Sequence, residues 1–339
     1  MTGDRPSAWA AYRLRWTRRK LLWRAFRSRH ALSPVHDRTA AIGPSDILCL
    51  GVLRNEELRL PWFLRHYRRL GVGHFLLIDN ASTDGTPRLL SDQPDVSVWR
   101  TGESYRDARF GLDWLNHLLA RFGHDRWCLT VDADELLTFA HDDTRDLHDL
   151  TRWLDGEKRR AFGALMLDLY PEGPVGPTAP PGNDPIPAIP WFDPGPYRVQ
   201  RQAPMRNLWV QGGPRDRLFF AAAPERAPTL NKLPLMRWNR RWAYVNSTHA
   251  VLPARLNLAY DGPGGTQPSG VLLHTKFLGD ATARAAEDLE RRQHFHDPDA
   301  ARPYLQRVLR GPVLRDETSQ RHEGWRQLVD LGLMTPGGW

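Results

Sequence analysis

Short apolar runs alternate with stretches of helical spacing between residues 46 and 140. The apolar runs, which are typical of buried strands, lie at 46–53, 74–79, 96–99 and 127–131. Helical patterns lie between them, at 62–70, near 86–91 and at 105–122. Pro61 and Gly71 punctuate the start and end of the first helix as expected. This alternation predicts βαβ units and a parallel sheet.

The second half of the chain is less regular. Residues 161–170 predict another strand, and 270–273 a later one. Between 174 and 190 there are seven prolines, which indicates a long loop, either disordered or a lid. Short strand-like pieces follow through 191–278, and closing helices are predicted at 280–296 and about 301–310.

Polar side chains follow the predicted strands at the points where they end. Asp79 and Asn80 end one strand, Asp132 and Asp134 follow another, and 54–56 follow the first. Ligands of parallel sheets bind beyond the carboxyl ends of the strands. The pattern therefore predicts a binding site at this edge.

Length, cysteine content and the lack of long apolar segments indicate a globular protein of a reducing compartment. The chain has 339 residues, which suggests about two domains or one large α/β domain with additions. Cys49 and Cys128 lie in apolar runs and are expected to be free thiols of a reducing compartment. We find no apolar run of transmembrane length and no signal peptide, so a cytoplasmic location is expected.

The net charge of +8 is concentrated in residues 1–40, and the remaining residues balance to zero. Trp9, Trp16 and Trp23 recur every seven residues there, among many arginines. A helix in this arm is expected to pack its tryptophans against the rest of the chain. Alternatively it lies on an anionic membrane surface, peripheral at the inner membrane. A nucleic-acid role would rest on this arm alone and is not expected.

Asp132 and Asp134 form an Asp-x-Asp pattern directly after a strand. Two hard oxygen donors at a strand end suit Mg²⁺ or Mn²⁺, which would bridge to phosphate oxygens. A second match, at Asp297 and Asp299, lies in a turn between predicted helices and is discounted. Asp132 and Asp134 are preferred as the metal site because they follow the fourth predicted strand, not because of the Asp-x-Asp pattern itself.

The motifs, taken in order, resemble the bacterial glycosyltransferase family 2 proteins of the Glyco_tranf_2_4 type. The residues that carry the resemblance are 52–56, 60–61, 67–68, 70–72, 78–86 and 131–136, and downstream 212–217, 232–235, 247–249 and 272–276. The resemblance implies a GT-A (Rossmann-like) α/β fold with a mixed, mainly parallel sheet flanked by helices. It also implies a nucleotide-diphosphate sugar donor, Mn²⁺ or Mg²⁺, and inverting transfer to a hydroxyl acceptor, such as a bacterial surface polysaccharide.

The resemblance assigns roles on the donor side. Asp132 and Asp134 would hold the metal and the diphosphate. Asp79 and Asn80 stand where many family 2 enzymes have an Asp-Asp pair that holds the base or ribose. The nucleotide would be bordered by Arg54, Asn55 and Glu56.

A third metal ligand is expected from a downstream histidine. His274 follows a predicted strand and is preferred, with His249 as its rival. Lys276 would contact the diphosphate as a point charge.

The general base is expected 80–100 residues after the metal aspartates, as in family 2 enzymes. Asp216 is the candidate, although it would equally suit salt bridges to Arg215 and Arg217. Glu225 lies in the same window, and Asp168 is a further option.

The expected organisation is a basic helical arm at 1–40, a nucleotide-sugar-binding half at 46–160, an acceptor half at 161–278 and a C-terminal helical segment at 279–339. The alternative to an enzyme is a non-catalytic nucleotide-binding protein with the same fold. A phosphotransferase of the P-loop type is disfavoured because the sequence has no Gly-x-x-x-x-Gly-Lys-Ser/Thr motif.

Overall fold

A computed structural model describes residues 7–176, 184–293 and 297–339. Part of the proline-rich loop predicted at 174–190, namely 177–183, lies outside the described residues. The described helices are α1 (Ala8–Ser28), α2 (Leu60–Arg69), α3 (Thr86–Ser91), α4 (Leu112–Phe122), α5 (Leu147–Gly156), α6 (Gly213–Phe219), α7 (Ala281–Arg291), α8 (Pro298–Leu309) and α9 (Trp325–Asp330).

The described strands form one large sheet and several short ribbons. They are β1 (Ser33–His36), β2 (Ile47–Leu53), β3 (Val72–Asp79), β4 (Val96–Arg100), β5 (Trp127–Thr130), β6 (Glu135–Thr138), β7 (Ala161–Asp168), β8 (Trp191–Phe192), β9 (Arg198–Arg201), β10 (Leu208–Gln211), β11 (Asn231–Arg237), β12 (Ala243–Asn246), β13 (Ala250–Leu252), β14 (Ser269–His274) and β15 (Gln320–Arg321).

The large sheet has nine strands in the order β1-β4-β3-β2-β5-β11-β7-β14-β6. Strands β4, β3, β2, β5, β7 and β14 run in one direction, and β1, β11 and β6 run against them. The predicted mixed, mainly parallel sheet flanked by helices is confirmed. Strands from the predicted donor and acceptor halves share this one sheet.

Alternate residues of the central strands enter two different apolar cores. In β2, Leu48 and Leu50 belong to the core that includes α4, whereas Ile47 and Cys49 belong to the core that includes α2 and α5. Both faces of the sheet are therefore covered by helices. This explains why β2 reads as an unbroken apolar run rather than as an alternating one. Both cysteines are buried and free, as predicted.

Helix α4 begins later than the helical spacing predicted. The pattern suggested a start near 105, but the helix begins at Leu112. Arg109, Phe110 and Gly111 all have positive φ, at 55°, 59° and 75°. Left-handed backbone cannot continue a right-handed helix, so these residues form the turn before it. By contrast, Pro61 occupies the first turn of α2 as predicted, and Gly71 follows its end with a φ of 90°.

Helix α1 attaches to the domain through its inner face. Leu21 and Ala25 are buried, and Leu21 packs with Ala243 and Leu252. The tryptophans of this helix point outward, so the prediction that they pack on the rest of the chain is wrong. No helix among the described residues is long and apolar enough to cross a membrane.

Candidate functional site

The carboxyl ends of the parallel strands meet along one edge of the sheet. The last residues of β2, β3, β5, β7 and β14 are Leu53, Asp79, Thr130, Asp168 and His274. Beyond this edge lies a cleft of about 780 Å³. Of the residues predicted from sequence, the cleft is lined by Arg54, Glu56, Asn80, Asp132, Asp134, His249, His274 and Lys276.

A tight turn after β5 presents the two aspartates. The Asp132 amide donates to the Glu135 carboxylate at 3.2 Å, and the Glu135 amide donates to the Asp132 carbonyl at 3.0 Å. This turn reverses the chain into β6. Consequently both Asp132 and Asp134 face the cleft, with side-chain exposures of 49% and 19%.

His274 lies between two carboxylates. Its Nδ1 is 2.6 Å from Oδ1 of Asp168, and its Nε2 is 3.1 Å from Oδ2 of Asp134. Burial works against a charged imidazole, but the two carboxylates outweigh it and raise the pKa of His274. Burial likewise opposes the charge on Asp134, yet His274 and Arg59 hold the pKa of that carboxyl well below its ordinary value.

Arg215 completes this row of charges. Its Nε donates to Oδ2 of Asp168 at 2.7 Å, and both side chains are buried. Burial opposes the charge on Asp168, but Arg215 and His274 lower its pKa to about 2. Asp168 therefore holds the His274 ring in place as an ionised carboxylate and is unsuited to act as a general base, a role considered from sequence.

Lys232 is buried beneath the aspartate turn. Its Nζ is 2.8 Å from Glu135 and 3.3 Å from Asp132. Burial disfavours the ammonium, but the two carboxylates raise the pKa of Lys232. Glu135 and Lys232 lie in the segments 131–136 and 232–235 that carry the family resemblance, but the sequence did not predict a role for either residue. A lysine inside the apolar run of β11 is the signal that would have marked it.

Lys276 lines the cleft, two residues after His274. Its ammonium forms no hydrogen bond or ion pair with the described residues, and its positive charge contributes to the low pKa of Asp134. An unpaired cation beside a carboxylate–imidazole pair gives the cleft a place for an anionic group.

The loop after β2 is tied to helix α7. Arg54 pairs with Glu287 at 3.0 Å, and Glu56 pairs with Arg284 at 2.6 Å. Asn55 has a φ of 52°, and its side-chain oxygen accepts from the Thr83 amide, so it shapes the loop and does not line the cleft.

Asp79 and Asn80 have different surroundings. Asp79 is buried, accepts from the Ser82 amide and lies 3.5 Å from Arg100. Asn80 lines the cleft, and its amide nitrogen donates to the carbonyls of Thr101 and Glu103. Asp79 therefore organises the turn, whereas Asn80 is the member of the pair that reaches the cleft.

The structure does not bring Asp216 into the cleft. Its carboxylate forms two hydrogen bonds to Arg198, at 2.7 and 2.8 Å, rather than to the neighbouring arginines considered from sequence. Glu225, from the same sequence window, does line the cleft. Of the two carboxylates, Glu225 is the one placed to reach a hydroxyl in the cleft, as a general base must.

The two candidate histidines are also separated by the structure. His274 contacts Asp134, whereas the ring of His249 hydrogen-bonds through Nδ1 to the Asn231 carbonyl. Burial and the charge of Lys232 lower the pKa of His249 to about 3, so it is neutral. Of the two rings, His274 is the one placed beside Asp134, which the sequence predicts to hold a metal.

Within the described ranges, no group of three or more His, Cys, Asp or Glu side chains is arranged to hold a metal ion. Asp134 and His274 supply one carboxylate and one imidazole, donors that fit a divalent cation. Asp132 points toward Lys232 and would have to turn from it to supply a third donor. Asp134 and His274 therefore fit a divalent cation as they stand, and Asp132 fits as a third ligand only after its side chain turns.

Comparison with known proteins does not identify a family. No family model and no curated protein matches the chain. One similar solved structure is a 4-diphosphocytidyl-2C-methyl-D-erythritol synthase, with 16% identity, a TM-score of 0.26, and a match that covers 41% of this chain and 65% of that chain. Another is a putative glucose-1-phosphate thymidylyltransferase from Bacillus anthracis in complex with a sucrose, with 8% identity, a TM-score of 0.29, and coverage of 77% of this chain and 83% of that chain. A third is a UDP-glucose pyrophosphorylase complexed with UDP-glucose, with 11% identity, a TM-score of 0.28, and coverage of 56% of this chain and 73% of that chain.

The chain thus spans slightly less than two thirds of the first of these structures. With all three TM-scores below 0.3, these similarities assign no activity to the chain.

Proposed function

We propose that this chain is a metal-dependent glycosyltransferase that moves a sugar from a nucleotide-diphosphate donor to a hydroxyl acceptor, as its resemblance to family 2 proteins implies. The observation that carries the proposal is the contact of Asp134 with His274 at the carboxyl ends of the strands. Asp132 lies in the same cleft, as does Lys276, which has no ion pair with the residues that the structure describes. A cation site beside a free ammonium suits a diphosphate group.

Asp132, Asp134 and His274 would hold Mn²⁺ or Mg²⁺, which when bound offsets the negative charge of the departing diphosphate. Asp168 accepts a hydrogen bond from Nδ1 of His274 and so leaves Nε2 directed at Asp134. Lys276 adds a positive charge on the same side. These side chains thus form a preorganised polar site for a diphosphate group.

Asn80 and the loop of Arg54 and Glu56 also border the cleft. The guanidinium of Arg54 donates to the carbonyls of Asn80 and Ala81, so one group joins the two strand ends. We assign the nucleoside to this region. The amide of Asn80 offers an oxygen that can accept from a base or a ribose hydroxyl.

On the acceptor side we assign the general base to Glu225. It lines the cleft, is exposed, and forms no side-chain hydrogen bond or ion pair with the residues that the structure describes. A carboxylate free of partners can accept the proton of a hydroxyl, whereas Asp216 is already engaged by Arg198.

Calorimetric titration of UDP, GDP and CMP with and without Mn²⁺ tests the donor side. We expect one nucleotide to bind, and to bind more tightly with the metal. No binding of any of them in either condition would refute the proposal.

Slow hydrolysis of the matching sugar nucleotide, with water in place of the acceptor, tests the chemistry. Glu225→Gln should lower its rate and leave nucleotide affinity unchanged, and Asp216→Asn should change neither. Nucleotide binding without any turnover would instead indicate the non-catalytic alternative.

A further inference from the structure

Helix α1 carries an exposed aromatic face that its own fold does not use. Trp9, Trp16 and Trp23 are 67%, 51% and 57% exposed, and Tyr12 and Phe26 are 48% and 58% exposed. At about 100° per residue, these positions fall on one side of the helix, opposite the buried Leu21 and Ala25. Exposed aromatic residues clustered in this way mark an interaction surface.

Positive charge borders this aromatic face. Helix α1 has seven Lys and Arg residues and no Asp or Glu. Of these cations, Arg24 alone forms a salt bridge within the part of the chain that the structure describes, to Asp113 at 2.8 Å. Arg19 and Arg27 lie over the rings of Trp16 and Trp23, with the guanidinium carbon 5.2 and 4.9 Å from the ring centres.

The charge continues beyond the helix itself. Burial, Arg15 and Arg255 lower the pKa of Arg18, and Arg19 and Arg241 act in the same direction. The surroundings of α1 therefore hold a surplus of cations rather than the acidic groups that would neutralise them. A partner that fits must supply negative charge together with an apolar layer.

The helix is formed and fixed before any partner binds. Arg24 donates to Asp113 and to the Asp107 carbonyl, and the Ser28 hydroxyl donates to the Asp113 carbonyl. Helix α1 is thus tied to α4, so its binding face does not have to be ordered on docking.

We propose that the outer face of α1 docks on an anionic lipid bilayer. Tryptophan and tyrosine rings favour the boundary between headgroups and acyl chains, and arginine and lysine attract anionic headgroups. A second copy of this chain is a poorer occupant, because pairing two such faces would oppose like charges. The inference is independent of the sugar-transfer proposal.

Sedimentation of the full-length protein with vesicles tests this. The two vesicle types are phosphatidylcholine alone and equal parts of phosphatidylcholine and phosphatidylglycerol. We expect the protein to sediment with the anionic vesicles and to stay in solution with the neutral ones. Raised salt should weaken the sedimentation, because it screens the surface charge.

Two variants locate the contact. Trp9→Ala/Trp16→Ala/Trp23→Ala should lower the partition coefficient by about tenfold or more, because the interfacial rings are lost. Arg13→Glu/Lys20→Glu should lower it by about tenfold or more, because two attractive charges become repulsive. Arg302→Glu/Arg310→Glu is the matched control: it makes the same change in net charge at two exposed positions, one on α8 and one directly after it, and should leave binding unchanged.

Several results would overturn the proposal. These are failure of the wild type to sediment with anionic vesicles, equal sedimentation of the tryptophan variant, and an equal effect of the control. A wild-type dimer that the tryptophan variant converts to a monomer would show that a second copy covers this face. Binding to duplex DNA or RNA that needs Arg13 and Lys20, without vesicle binding, would assign the surface to nucleic acid.

Discussion

Oδ2 of Asp134 lies 3.1 Å from Nε2 of His274, although 140 positions separate the two residues in the chain. The pairing of β14 brings them together. His274 is opposite Asp168 of the parallel neighbour β7 and opposite Glu135 of the antiparallel neighbour β6. One strand register therefore sets both contacts of the imidazole, and the site depends on the sheet rather than on a flexible loop.

Asp134→Asn should abolish or strongly weaken the binding of nucleotide with Mn²⁺. The substitution removes an anionic oxygen from the proposed cation site but keeps the size of the side chain. Removing a metal ligand is expected to reduce affinity by at least about tenfold. Titration calorimetry with the nucleotide identified by the panel measures the change.

Asp299→Asn is the matched control, because it alters the second Asp-x-Asp pattern of the chain. Asp299 is 78% exposed, pairs with Arg292 at 2.7 Å and is not among the residues that line the cleft. Its substitution should leave metal-dependent binding unchanged. Equal losses in both variants would remove the metal role from Asp134.

Lys276→Met should weaken nucleotide-diphosphate binding while changing the free energy of unfolding only slightly. The ammonium has no hydrogen bond or ion pair among the described residues, so the fold loses only its attraction to Asp134, where His274 and Arg59 act more strongly. A lost contact to a charged group corresponds to about 1.5–3 kcal/mol of binding free energy. Lys276→Arg should retain most of the affinity. A nucleoside without phosphate should bind both variants equally.

Lys232→Met should destabilise the fold by about 3 kcal/mol, because it leaves a buried carboxylate without its partner. Lys232 and Glu135 are both almost fully buried and lie 2.8 Å apart. In the double variant Lys232→Met/Glu135→Gln most of this loss should return, since no buried carboxylate is left unpaired and Asp132, the other partner of Lys232, is 49% exposed. Urea unfolding of the four proteins of this cycle measures the coupling. A double variant no more stable than Lys232→Met would contradict the assignment.

His66 should make stability depend on pH in the acid range. Burial is the main cause that lowers its pKa from 6.5 to about 4, and its Nε2 lies 2.9 Å from the Leu137 carbonyl oxygen. Between these values the unfolded chain binds a proton that the folded chain does not. Stability therefore falls as pH decreases from 6.5 to about 4, by at most about 3 kcal/mol.

His66→Gln should flatten this acid decline, because glutamine can still donate to the carbonyl but does not titrate. His124→Gln, at an exposed position, should keep the slope of the wild type. Urea midpoints at several pH values between neutral and acid compare the three proteins. Identical slopes in all three would show that His66 is not the source.

The gathering of polar side chains at the strand ends was predictable because it depends on local patterns. Apolar runs located β2, β3 and β5, and parallel connections place the carboxyl ends of such strands on one edge. Asp132, Asp134 and Asn80 follow from that rule. His274 was found in the same way, from the run that precedes it.

The remainder depends on contacts that no local pattern records. The carboxylate of Asp216 pairs with Arg198, 18 positions earlier on β9, and the sequence does not show which of the nearby arginines binds it. The charge of Lys232 is held by residues about 100 positions away. Helical spacing showed that α1 has an aromatic side, but the packing of Leu21 and Ala25 was needed to show that this side faces outward.

The two buried thiols at the centre of the sheet can report unfolding, because they react with a labelling reagent only when they become exposed. Cys49 and Cys128 lie on the neighbouring strands β2 and β5, are at most 1% exposed, and have pKa values that burial raises. A thiol-modifying reagent can reach them only when these central strands separate. The labelling rate of the unmodified protein should therefore measure how often the whole sheet opens, without any introduced probe.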